Sequence, residues 1–181
     1  MKIVITGHTS GLGKALYDEL SRDNDVVGMS RKNGYDLSKD LEQFVADDFD
    51  VYINNAYCEH AQTDLLYKLF TKNQYKDCTI INIGSVSAEG NKDVVNEYAI
   101  HKASLKKACS QLQLIDGDCK VVHMQLGRMN TPMTEHRKEY PRIETKYVTD
   151  TIKWIMQQPK DIIIKNLTLD IMHSRRKRTT L

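Results

Sequence analysis

The chain of 181 residues is 40% hydrophobic, 28% charged and 7% aromatic, with nine glycines and three prolines. Those proportions suit one sizeable core and exclude a disordered, collagen-like or low-complexity chain. The formal net charge is +2, but Arg175, Arg176, Lys177 and Arg178 stand together near the C-terminus. Setting those four aside leaves 22 basic against 24 acidic groups, so no global field draws the body onto nucleic acid or anionic lipid.

The predicted elements alternate between two periodicities. Residues 3–5 read as a first strand, after which Leu12, Ala15, Leu16 and Leu20 share one face of a helix. Residues 26–29 and 51–53 read as the next two strands. Leu65, Leu66, Leu69 and Phe70 then mark a second helix, and residues 79–83 a fourth strand. A helix that begins before Tyr98 continues through Leu105, Ala108 and Leu112 to a strand at 121–126. Val148, Ile152, Ile155 and Met156 define a last helix, stopped near Pro159, before a strand at 167–171. Strands alternating with helices predict an α/β fold: a doubly wound, mostly parallel sheet with helices on both faces, Rossmann-like and a single domain. That domain spans 1–172, and 173–181 read as a basic, solvated tail.

No apolar run approaches the ~18 residues of a membrane span, and the apolar N-terminal stretch is too short for a signal peptide. The four cysteines, Cys58, Cys78, Cys109 and Cys119, lack CxxC spacing. Reduced thiols and a cytoplasmic location follow as expectations, with Cys109 and Cys119 as buried fillers. Six histidines without an HxxxH or HExxH pair give a metal site no support.

The first strand runs into Thr6-Gly7-His8-Thr9-Ser10-Gly11-Leu12-Gly13 and directly on to the first helix. Glycines there let the backbone turn sharply and approach a pyrophosphate, whose charge sits against the free N–H groups of the helix N-terminus. A glycine turn alone is weak evidence; placed between the first strand and first helix it predicts nucleotide binding, through Gly7, Thr9, Ser10, Gly11, Leu12 and Gly13.

The spacing TGxxxGxG resembles that of the short-chain dehydrogenase/reductase family, and further stations of that family follow in its order. Asp36-Leu37 is similar to its adenine-contacting pair. Asn54-Asn55-Ala56 resembles its NNAG motif, with Tyr57 in place of the glycine. Ser85 follows the fourth strand, Tyr98-Ala99-Ile100-His101-Lys102 has the YxxxK signature, and Gly127-Arg128-Met129-Asn130-Thr131 resembles the segment that clasps the nicotinamide carboxamide. The resemblance implies catalysis by Ser85, Tyr98 and Lys102. It also implies cofactor contacts from Asp36, Leu37, Asn54, Asn55, Ala56, Tyr98, Lys102, Gly127, Met129 and Thr131, and a homodimer or higher homo-oligomer.

Tyr98 and Lys102, at i and i+4, project from one helix face. A phenol with a pKa of about 10 exchanges protons poorly at neutral pH. A neighbouring ammonium favours the phenolate, and lowering it by about three units takes roughly 4 kcal/mol. By the resemblance, Tyr98 is the general acid/base on the substrate oxygen, Ser85 hydrogen-bonds that oxygen, and Lys102 binds the nicotinamide ribose and tunes Tyr98. Isolated Tyr/Lys pairs usually decorate a surface; the surrounding stations make this one a candidate site.

An acidic residue ending the second strand would favour NAD(H). This chain has Met29-Ser30-Arg31-Lys32 instead. Arg31 can grip a phosphate bidentately and Ser30 can offer a hydroxyl, so NADP(H) is predicted over NAD(H), a plain basic loop being the bland alternative.

Departures from the family matter equally. Ordinary members are considerably longer. Five residues separate Arg31 from Leu37, so the family's second helix and most of its third strand look deleted. Only 28 residues lie between Ala56 and Ser85, and the family's catalytic Asn has no evident counterpart. Gln62 or His60 are the alternatives, while Asn73 falls too close to Ser85. The segment 132–145 makes a short substrate lid. The leading expectation is an NADP(H)-dependent oxidoreductase acting on a small-molecule carbonyl or alcohol. The alternatives are a nucleotide-binding regulator or sensor without turnover, and a sugar-nucleotide-type epimerase or dehydratase.

Overall fold

In the computed structural model, which describes residues 1–46, 48–90, 96–137 and 139–172, the six anticipated strands join into one sheet. They are β1 (Lys2–Thr6), β2 (Asp25–Met29), β3 (Val51–Asn54), β4 (Thr79–Ser85), β5 (Lys120–Leu126) and β6 (Asn166–Leu169). Their order is β2-β1-β3-β4-β5-β6, and every neighbouring pair is parallel. Among the described residues four α-helices accompany them: α1 (Gly11–Leu20), α2 (Ala61–Asn73), α3 (Glu97–Leu112) and α4 (Thr145–Met156). The basic tail expected at 173–181 lies outside the described residues.

The two-residue period of the strands sorts their side chains into two cores. Ile3, Ile5, Val51, Ile53, Ile81, Val122 and Met124 pack with Leu12, Leu16 and Leu20 of α1 and Val148, Ile152 and Ile155 of α4. Val4, Tyr52, Ile80 and Val121 point the other way, onto Leu65, Leu66 and Leu69 of α2 and Leu105, Ala108 and Leu112 of α3. Burial on both faces explains why these strands are continuous apolar runs rather than alternating ones.

Between β2 and β3 the described residues contain no α-helix and no strand, only 3₁₀ turns at Arg31–Asn33 and Glu42–Phe44. Phe44 and Leu37 tuck into the core beneath α2 and α3, and the Tyr52 hydroxyl donates to the Phe44 carbonyl at 2.8 Å. The sequence expectation of a missing helix and strand agrees with this short connection, which leaves β2 at the sheet margin. Strand order reverses between β1 and β3, and the crevice at the carboxyl ends of those two strands is where open α/β sheets receive ligands.

Candidate active site

The loop after β1 is shaped by its glycines. Gly7 and Gly11 hold φ of +75° and +52°, in the left-handed region that favours glycine. A Cβ on Gly13 would collide with the Gly7 carbonyl and lie 2.8 Å from the Asn55 amide nitrogen, so the first turn of α1 can lie flat against the loop only as glycine. Ser10 caps α1 in extended conformation without a side-chain capping bond. The helix N-terminus therefore presents backbone N–H groups beside an exposed hydroxyl, a cradle suited to a pyrophosphate. Thr131 stands across from it, its Cβ 3.5 Å from where a Gly11 Cβ would be.

Other expected contacts fall into place differently. The Leu12 side chain belongs to the core, which leaves only its backbone for a ligand. Asn54 is 0% exposed because β3 runs through it; its amide donates to the Gln62 carbonyl at 2.8 Å and to Asn82 Oδ1 at 2.9 Å. The resemblance counts Asn54 among the cofactor contacts; burial makes its side chain a brace between β3, β4 and α2. Asn55 donates through Nδ2 to the Thr6 carbonyl at 2.8 Å, and the Asn55 and Ala56 backbones both donate to Thr6 Oγ1 at 2.9 Å. Ala56 is thereby held against Gly7.

Arg31 is exposed and makes no ion pair among the described residues. Ser30 differs from expectation: it is buried and donates its hydroxyl to Asn33 Oδ1 at 3.1 Å, within a capping box that shapes the turn. Asp36 accepts from the Ser38 backbone and hydroxyl at 3.1 and 2.7 Å, which holds its carboxyl below the usual range. Leu37 packs into the core rather than facing the crevice. Gly127 is fixed by β6, since its N–H donates to the Leu169 carbonyl at 2.8 Å and a Cβ would strike Asp170. Met129 pairs with Ile143 in an isolated bridge and leans on the α1/α4 core.

Ser85, Tyr98 and Lys102 come together at the carboxyl end of β4. Ser85 ends that strand, and its Oγ accepts from the Ser87 backbone at 3.2 Å. Asn96 caps α3 by accepting from the Tyr98 backbone at 3.1 Å, which seats Tyr98 in the first turn. Burial raises the Tyr98 phenol above its ordinary pKa, and a hydrogen bond with Ser85 opposes that rise. Lys102, one turn on and 3% exposed, donates to Gln62 Oε1 at 2.7 Å and to the Ile83 carbonyl at 2.8 Å. Burial between these neutral acceptors pulls its pKa down to about 7. The sequence anticipated an ammonium that lowers the phenol. Here the nitrogen lies 5.6 Å from the Tyr98 ring centroid and faces carbonyls, so burial governs both groups.

Tyr57 is the residue whose place the sequence did not foresee. It is 37% exposed, its ring meets Tyr98 edge-on at 4.8 Å and lies 5.6 Å from the Lys102 nitrogen, and its hydroxyl shares a 2.8 Å hydrogen bond with His101 Nδ1. His60 packs edge-on against His101 at 4.3 Å, whereas the Lys102 nitrogen bonds to Gln62 and Ile83. Of the alternatives for the missing Asn, Gln62 is the one that touches Lys102; Asn73 donates instead to the Ala46 and Leu69 carbonyls. Replacement of the motif's glycine by Tyr57 was the available signal, but it carried no direction. No cluster of three or more potential metal ligands occurs among the described residues, and none of their helices is long and apolar enough to cross a membrane.

The fold is that of solved short-chain dehydrogenases/reductases. A structure described as a short-chain dehydrogenase/reductase family protein matches with a TM-score of 0.78 at 15% identity, covering 94% of this chain and 95% of the other. A short-chain dehydrogenase from Burkholderia cenocepacia, in complex with NADP, matches at 0.77 and 18% identity over 94% and 88%. A 3-ketoacyl-(acyl-carrier-protein) reductase from Brucella melitensis, complexed with NADH, matches at 0.76 and 16% identity over 93% and 96%. No family model and no curated protein sequence matches the chain.

Proposed function

We propose that this chain is a short-chain dehydrogenase/reductase that interconverts a small carbonyl compound and its alcohol, using NADP(H) in preference to NAD(H). The observation that carries this reading is one continuous surface. The glycine cradle touches Ala56, the next residue, Tyr57, touches Tyr98, and Tyr98 lies near Ser85, which acts on its phenol, with Lys102 under its ring.

A dinucleotide fits what the residues offer. Gly7, Gly11 and Gly13, with the N-terminus of α1, would hold the pyrophosphate; Arg31 would take a 2′-phosphate; Thr131 and Met129 would border the nicotinamide. When bound, the nicotinamide supplies or accepts the hydride. Tyr98 handles the proton on the substrate oxygen, as a neutral phenol ready to donate in the reducing direction because burial keeps it protonated. Ser85 orients the Tyr98 hydroxyl and hydrogen-bonds the same oxygen. Lys102 has one Nζ position beyond its two carbonyl-type acceptors, the one left to serve a ribose hydroxyl or the Tyr98 side.

The cover that Tyr57 and Tyr98 place over Lys102 favours one second reading, nucleotide binding without turnover. Fluorescence titration with NADPH and NADH, followed by consumption assays on a carbonyl panel, separates the two. Consumption that Tyr98→Phe abolishes while NADPH binding persists supports the enzyme. Binding with no consumption across the panel supports the sensor, and binding of neither cofactor overturns both.

A further inference from the structure

Lys102 is the most deeply buried cation of the site, and its cage is built from neutral oxygens. Gln62 stands in the first turn of α2, 2% exposed. Its Nε2 donates to the Asn54 carbonyl at 2.6 Å and to the Ile83 carbonyl at 3.2 Å. Carbonyl oxygens only accept, so the amide nitrogen must face them and the amide oxygen must face Lys102. The carboxamide cannot flip without setting two acceptors against its oxygen and two donors against each other. Asn54 closes the frame by donating to the backbone carbonyl of Gln62 itself.

We propose that Gln62 is the positioning residue for Lys102: with the Ile83 carbonyl it holds two Nζ hydrogens and leaves the third Nζ position to serve the Tyr98 side of the site. This deepens the proposed function and rests on it. Two acceptors match both protonation states of the amine. An ammonium donates twice and keeps a third hydrogen; a neutral amine still donates twice and keeps a lone pair in that same place. Proton loss at Lys102 therefore requires no rearrangement of the cage. The ionisable groups that face the nitrogen are Tyr57 after β3, Tyr98 on α3 and His123 on β5; no carboxylate pairs with it among the described residues. With only neutral oxygens for company, burial brings its pKa to about 7.

The test is a pH titration of the Lys102 Nζ resonance in ¹⁵N-lysine-labelled full chain, assigned by its loss in Lys102→Arg. Wild type should titrate near neutrality, with Nζ hydrogens that exchange more slowly than those of surface lysines. Gln62→Glu puts a carboxylate at the same reach and should raise the midpoint by about one pH unit or more, a tenfold change in proton affinity. Gln62→Met keeps the volume, removes the acceptor and should lower it. A purely structural role would reduce stability in both variants and leave the midpoint where it was, and that result overturns the proposal. Should neither variant fold, wild type decides: an ordinary lysine midpoint with fast exchange means there is no cage. An NADPH titration of the same samples keeps the readings apart. Failure to bind NADPH with the midpoints moving as described removes the proposed function, whereas binding with unmoved midpoints removes only the role of Gln62.

Discussion

Burial of Lys102 predicts a pH dependence of stability with a definite sign. In the unfolded chain its amine has the ordinary value of 10.5, and in the folded protein about 7. Between those values the unfolded chain binds a proton that the folded one does not, so stability rises with pH. Below pH 7 both states are charged and the folded state carries the whole penalty, about 5 kcal/mol at 1.36 kcal/mol per unit. From pH 7 to pH 9 the linkage relation returns about 2 kcal/mol of it. Other groups complicate the raw curve. His123, pushed down to about 4 by burial, titrates below this window, while Cys109, raised by burial to about 12, pulls the opposite way as its unfolded thiol ionises. Subtracting a Lys102→Met variant removes those contributions. That variant also leaves Gln62 Oε1 without its donor, at about 1–3 kcal/mol, while the Ile83 carbonyl keeps the Gln62 amide; this loss does not depend on pH. Urea denaturation of both proteins at half-unit steps should therefore show wild type gaining about 2 kcal/mol on the variant between pH 7 and 9. A difference that stays flat over that range refutes the burial argument, whatever the absolute stabilities.

Three further outcomes follow from the geometry. Arg31→Glu should weaken NADPH binding roughly ten- to hundredfold through loss of a charge-assisted contact and spare NADH; parallel titrations check this, and equal losses for both would remove Arg31 from the phosphate. Gly13→Ala forces the Gly7 carbonyl and the Asn55 amide to move, an overpacking cost of about 1–3 kcal/mol visible in the denaturation midpoint together with weaker NADPH binding. Tyr52→Phe removes one of two donors to the buried Phe44 carbonyl, leaving the Ala46 N–H, and should destabilise by about 0.5–1.5 kcal/mol, measured by thermal or urea unfolding.

The scaffold was legible because burial imposes patterns on neighbours in sequence. Runs such as residues 79–83 are apolar on both faces only in a covered parallel strand, and Leu65, Leu66, Leu69 and Phe70 repeat at helical spacing because one side of α2 is buried. The YxxxK pair was legible for the same reason, being one helical turn. What escaped lies across elements. Gln62 and Lys102 are forty positions apart, and nothing in either local stretch reports that α2 and α3 present them to each other. Asn54 was assigned to a ligand because its motif suggested it, but β3 extends one residue beyond the apolar run and carries it into the sheet. Ser30 carries a local signal of its own: Ser30-Arg31-Lys32-Asn33 has the spacing of a capping box, and Asn33 accepts from the Ser30 backbone and hydroxyl in that turn.

The short link from β2 to β3 has a consequence for association. Among the described residues no strand lies beyond it, so β2 becomes one margin of the sheet and β6 the other, and each margin has a row of peptide groups that another chain's strand could join. Both margins are short, five and four residues, and both are flanked by charge: Asp23 and Asp25 at one, Lys165 and Asp170 at the other. Along β2, the His8 ring lies against Gly28, where no side chain could stand. A foreign strand arriving at either side meets carboxylates or an ammonium within a few residues, and so finds too short a ladder to hold. A sheet reduced in this way keeps itself from growing.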